Sequence, residues 1–80
     1  MDQIVINNCV YEYIDLCIQS SFYADTITYL EKRKSYLKII LKVNNQQSNI
    51  AVDFLEKSNY GNENVICINA IKELKQLIKN

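Results

Sequence analysis

Two apolar runs separated by six polar residues fit one another in a single register, and that fit constrains the chain more than any other feature. In 37–43, Leu37, Ile39, Leu41 and Val43 alternate with Lys38, Ile40 and Lys42. Residues 44–49 read Asn-Asn-Gln-Gln-Ser-Asn. That is turn chemistry, because Asn tolerates left-handed backbone and bonds to its own main chain. Residues 50–57 then read as a returning strand. Pairing Val43 with Ile50 also pairs Leu41 with Val52 and Ile39 with Phe54, so one register places all three pairs on one face. A slip of one residue scatters them, and the sequence predicts a β-hairpin.

The β-branched and aromatic residues of 23–31 predict a third strand. On either side, apolar residues recur at helical spacing. Val10, Tyr13, Ile14, Cys17, Ile18 and Ser21 share an arc opposite Glu12, Asp15 and Gln19, which predicts a helix over 9–20 with Asn8 as its N-cap. After a loop at 58–62, Ile66, Cys67, Ala70, Ile71, Leu74, Leu77 and Ile78 share a second arc, with Lys72, Lys75, Gln76 and Lys79 facing away. Residues 2–7 read as a short strand or an N-terminal arm. The expected fold class is α+β in the order α-β-β-β-α: two helices on one face of a three-stranded antiparallel sheet, the other face open. The 80 residues make one domain. A chain of that size buries only roughly 60% of its unfolded surface, so a partner or a second copy would add stability.

This order resembles the double-stranded-RNA-binding domain, and a strand at 2–7 would bring it close to ribosome-hibernation factors. The RNA-binding family carries a lysine cluster at the start of its last helix. The matching stretch here, 61–65, is Gly-Asn-Glu-Asn-Val, with one acid and no base. The resemblance is topological, and no functional residue is carried across.

The residue inventory narrows the chemistry. There is no His, hence no ordinary general base near neutral pH and no Ser-His or Cys-His pair. Cys17 and Cys67 fall on apolar arcs and read as small core residues. With Cys9 they make an odd, widely spaced set that matches neither a disulfide framework nor a zinc pattern. A single glycine excludes a glycine-rich phosphate loop. No catalytic residue, cofactor or metal is expected. No run approaches the roughly 18 apolar residues of a membrane span, and the N-terminus lacks the features of a secretory signal. With free thiols, a reducing cytoplasmic location is expected. Abundant Asn, Ile, Lys and Tyr beside one Gly and no Pro match AT-rich coding, which associates the chain with an AT-rich bacterium or with a phage or other mobile element.

The formal net charge is zero, yet it is unevenly laid out. Residues 1–31 carry Asp2, Glu12, Asp15, Asp25 and Glu31 with no base; residues 32–42 carry Lys32, Arg33, Lys34, Lys38 and Lys42 with no acid. On a strand, Lys34, Tyr36, Lys38, Ile40 and Lys42 share one face. Two registers of strand 23–31 compete. Leu30 opposite Leu37 sets Asp25 against Lys42 and Glu31 against Tyr36, which neutralises much of the stripe; Glu31 opposite Leu37 buries Ile27 and Tyr29 and leaves the stripe positive. Core hydrophobicity favours the second. Leu55 adds to an apolar patch beside Tyr36 and Ile40. Such a stripe also arises on the wet side of any amphipathic strand. As a functional surface it suits a protein partner, with lysines steering and Tyr36 and Ile40 anchoring. It also suits a nucleic acid, with Tyr36 stacking a base and the lysines and the 32–34 turn on phosphates. The mixed charged and apolar character favours protein. The expectation is a non-enzymatic inhibitor or adaptor that engages a protein partner, or a second copy, through Lys34, Tyr36, Lys38, Ile40, Lys42 and Leu55.

Overall fold

The structure is a computed structural model that describes residues 2–42 and 45–79. Its regular elements are α1 (Gln3–Ile18), a 3-10 turn (Ser20–Phe22), α2 (Thr26–Lys42), α3 (Asn45–Lys57) and α4 (Val65–Lys79). No strand forms among the described residues, so the α+β expectation is overturned. The predicted strand 23–31 is mostly the start of α2, and 37–42 is its end. The predicted strand 50–57 belongs to α3, and residues 2–7 hold the first turn of α1. Val43 and Asn44, which closed the predicted hairpin, lie outside the described residues. The topological likeness to RNA-binding and ribosome-hibernation folds falls with the sheet.

The reason lies in residues that fit two periods at once. Ile40 interrupts the alternation of 37–43, and Tyr29, Arg33, Tyr36 and Ile40 recur at helical spacing instead. In α3, Ser48, Ala51, Val52 and Leu55 do the same, and all four are buried. Leu, Lys, Arg and Glu, which are good helix formers, supply much of α2, and neither segment holds a Gly or Pro to stop it.

Three helices start on a short Asx side chain. Asp2 Oδ1 accepts from the Ile4 N–H at 3.1 Å, and Asp25 Oδ1 from the Ile27 N–H at 2.9 Å. Asn64 Oδ1 accepts from both Ile66 and Cys67, at 2.9 and 3.2 Å. Each satisfies donors that the first turn leaves without partners. Asn8, the expected cap, lies inside α1 and is exposed, because Asp2 starts that helix nearly two turns earlier than expected. α3 ends on Asn59, whose φ of 56° lets the Tyr60 N–H reach the Leu55 carbonyl and the Asn59 N–H reach that of Glu56.

Side-chain contacts fix the directions. Tyr29 lies beside Cys17, Arg33 sits 5.9 Å from the Tyr13 ring, and Tyr36 lies beside Glu12, so α2 runs antiparallel to α1. Gln3 donates to the Gln47 carbonyl at 2.8 Å and Tyr11 meets Tyr60 at 5.1 Å, so α3 runs parallel to α1. Tyr13 donates to Glu73, and Cys17 neighbours Cys67, so α4 runs back. α1 is apolar on most of its circumference and occupies the centre, with all three other helices packed on it. Ile6, Val10, Tyr13 and Ile14 of α1 close a core with Ala51, Val52 and Leu55 of α3 and Cys67, Ile71, Leu74 and Ile78 of α4. α2 adds less to this core: of its described residues only Ile40 is fully buried, with Tyr36 and Leu37 half-buried against it.

Candidate functional site

A helix held by so little of its surface leaves much of its circumference to solvent. α2 is fastened along one line. Tyr29, Arg33 and Tyr36 are half-buried against α1, and Ile40 is fully buried near the start of α3. There, Ser48, itself buried, donates its hydroxyl to the Ile40 carbonyl at 2.7 Å, which satisfies one of the acceptors left over at the end of α2. Midway, Arg33 Nη2 reaches Glu73 Oε1 at 2.8 Å, and the same oxygen accepts from the Tyr13 hydroxyl. One carboxylate thus ties α1, α2 and α4 together. Burial and the bond to Glu73 push the Tyr13 hydroxyl far above the usual tyrosine range. Burial works against the Arg33 charge, but Tyr13 and Glu73 outweigh it.

An adjoining flank of α2 carries Ile27, Leu30 and Leu41, exposed to 67%, 52% and 40%. Between the latter two, Leu37 is half-buried against the edge of the core, and a shallow groove along it is lined by Leu30, Leu37, Leu41, Arg33, Lys34, Lys38 and Lys42. The three lysines stand four residues apart, so they follow one another along this side of the helix. Glu31 is exposed among them. Lys32 is turned elsewhere, 5.6 Å from the Tyr23 ring and beside Glu12 and Asp15.

The six residues expected to bind a partner therefore separate. Lys34, Lys38 and Lys42 remain together, although on a helix and not on an open sheet face. Tyr36 turns toward α1, where burial and a bond to Glu12 raise its hydroxyl pKa. Ile40 is in the core at 0% exposure, and Leu55 is buried on α3 at 7%. The expected apolar anchors are thus packing residues. The apolar residues that do accompany the lysines are Ile27, Leu30, Leu37 and Leu41, and their steps of three, seven and four residues are the signal that locates them.

Other chemistry has little support in the geometry. Burial raises the thiols of Cys9, Cys17 and Cys67, which works against a reactive thiolate. Among the described residues, no group of three or more His, Cys, Asp or Glu side chains converges to hold a metal ion. Among them, too, no helix is long and apolar enough to cross a membrane. The chain matches no family model, no curated protein and no solved structure.

Proposed function

We propose that this chain is a small protein-binding module that docks its partner on the outer side of α2. The observation that carries the reading is the strip of exposed Ile27, Leu30 and Leu41 bordered by Lys34, Lys38 and Lys42. Apolar side chains in a row along one helix are a contact surface more than a solubility feature. The lysines speed encounter with a surface bearing carboxylates, while the leucines supply the part of the interface that excludes water. A phosphate backbone would engage the lysines and leave the leucines wet, which is why protein is favoured over nucleic acid. The size of the chain and its lack of His suit an adaptor or inhibitor, and the three free thiols suit a reducing compartment such as the cytoplasm.

The test compares tagged wild type with the Leu30→Lys/Leu41→Lys variant in capture from cells that make the protein, with nuclease added. A defined polypeptide held by the wild type and lost from the variant, at unchanged circular dichroism, is the expected result. Equal capture by both would reject the α2 surface. Titration with a single-stranded oligonucleotide decides the other reading: tight binding that falls steeply with salt and disappears in Lys38→Glu/Lys42→Glu would replace protein with nucleic acid.

A further inference from the structure

We infer that the occupant of this surface is α2 of a second copy of the chain, laid antiparallel along it. The inference rests on the reading of α2 as a protein-contact surface and names the partner. Its basis is spacing. Ile27, Leu30, Lys34, Leu37 and Leu41 step by three, four, three and four residues, the a and d positions of a two-helix coiled coil. In the fold these positions form one strip along a flank of α2, with Ile27, Leu30, Lys34 and Leu41 exposed and Leu37 half-buried against the edge of the core, and four of the five line the same groove. The two-heptad seam is too short to hold isolated helices together. Here α2 is already folded by its contacts with α1, so pairing need not supply the cost of forming it.

Charge selects the direction. In a parallel pair, Lys34 would face the partner's Lys34 across the seam, and Arg33 would approach the partner's Lys38, two like-charge contacts in the middle of the interface. In an antiparallel pair, a positions meet d positions. Leu30 then lies opposite the partner's Leu41, and Lys34 lies beside the partner's Leu37, with its ammonium free to reach water past the seam. Glu31 comes level with the partner's Lys38, and the two-fold axis makes every contact twice. The helix dipoles are opposed as well. On the other flank of the seam, Arg33 and Ile40 are already engaged, with Glu73 and with the core, and pairing leaves them in place.

The full chain should dimerise reversibly in sedimentation equilibrium between micromolar and submillimolar concentration. Leu30→Lys or Leu41→Lys should raise the dissociation constant by at least about tenfold. Glu31→Lys and Lys38→Glu should each weaken the dimer, and the double charge reversal should restore it to within about twofold. In a Cys9→Ser background, Leu30→Cys chains mixed with Leu41→Cys chains should oxidise to the mixed disulfide in preference to either like pair. A monomer at every concentration, disulfides between like chains, or a double reversal no better than the singles would each overturn the antiparallel self-pairing. A monomer that still captures another protein through Leu30 and Leu41 overturns the second copy alone. Seam variants that change neither dimerisation nor capture overturn the α2 surface itself.

Discussion

Replacing Glu73 with alanine should destabilise the fold more than replacing Tyr13 with phenylalanine, although the two residues share one hydrogen bond. Tyr13 is 0% exposed and donates its hydroxyl to Glu73 Oε1. Glu73 is also bonded to Arg33, and that ion pair is open to solvent, with side chains 31% and 43% accessible. In Tyr13→Phe the carboxylate keeps Arg33 and gains water, so the loss is that of one hydrogen bond to a charged group at the low end of its range, about 1.5 kcal/mol. In Glu73→Ala the hydroxyl stays enclosed without its acceptor, which costs about 1 to 3 kcal/mol. The lost surface pair adds under about 1 kcal/mol. A total near 3 kcal/mol follows. The double variant strands no hydroxyl and should cost about 2 kcal/mol, leaving a coupling of about 2.5 kcal/mol between the positions. Urea unfolding followed by helical circular dichroism at fixed neutral pH measures all four species. In a domain of this size each kcal/mol should also move the thermal midpoint by about 4 to 8 °C. A Tyr13→Phe loss equal to or above that of Glu73→Ala, or additive single effects, would refute the argument that the enclosed hydroxyl sets the cost.

Three further outcomes follow from local geometry. Gly61 has φ of 62°, and a Cβ there would lie 2.5 Å from Cys67 Sγ and 2.9 Å from Cys67 Cβ, so Gly61→Ala should cost about 2 kcal/mol or more. Adding Cys67→Ala should recover only part of that loss in the same urea assay, because the Cβ contact persists. Asn64→Ala, at about 1 kcal/mol, and Asp25→Ala each remove a helix cap. The first should lower global stability; the second should show as faster amide exchange in the first turn of α2, since residues 26–28 are exposed. At alkaline pH, burial holds the Tyr13 hydroxyl far above its ordinary 10.0 and pushes that of Tyr60 up to about 12. The folded state therefore keeps protons that the unfolded chain releases near 10, so stability is complete below that pH and declines as pH rises above it. Tyr13→Phe should flatten the decline; a urea midpoint unchanged from pH 9 to about 11 would contradict it.

The two terminal helices were legible because their inward residues are aliphatic and their outward ones polar, as with Ile71, Leu74 and Ile78 against Lys72 and Lys79. α2 was not, because its inward line is Tyr29, Arg33 and Tyr36, groups that look like surface residues until α1 is in place. α3 opens with Gln46, Gln47 and Ser48, which imitate a turn, and its buried Ser48 has meaning only beside the Ile40 carbonyl. The three lysines stay grouped in both readings because a spacing of four keeps residues on one side of a strand and nearly so on a helix. Tyr36 and Ile40 stand two residues from a lysine, and two residues turn a helix by about 200°, so the change of period sent them to the opposite side. Leu55 changed sides with them, since the same pairing register had placed it.

That α2 gives the core one fully buried residue, Ile40, while α1, α3 and α4 supply the rest has a consequence for how the sequence can change. Substitutions at Ile6, Val10, Leu74 or Val52 alter packing that the whole fold shares. Those at Ile27, Leu30, Lys34 or Lys38 alter little that holds the chain together. A saturation library sorted first for folding and then for association should therefore divide by helix. Core positions should be intolerant in both sorts, and the outer positions of α2 should be permissive in the first and selective in the second. Such a partition lets binding specificity drift, or be redesigned, one helix face at a time while the scaffold stays constant.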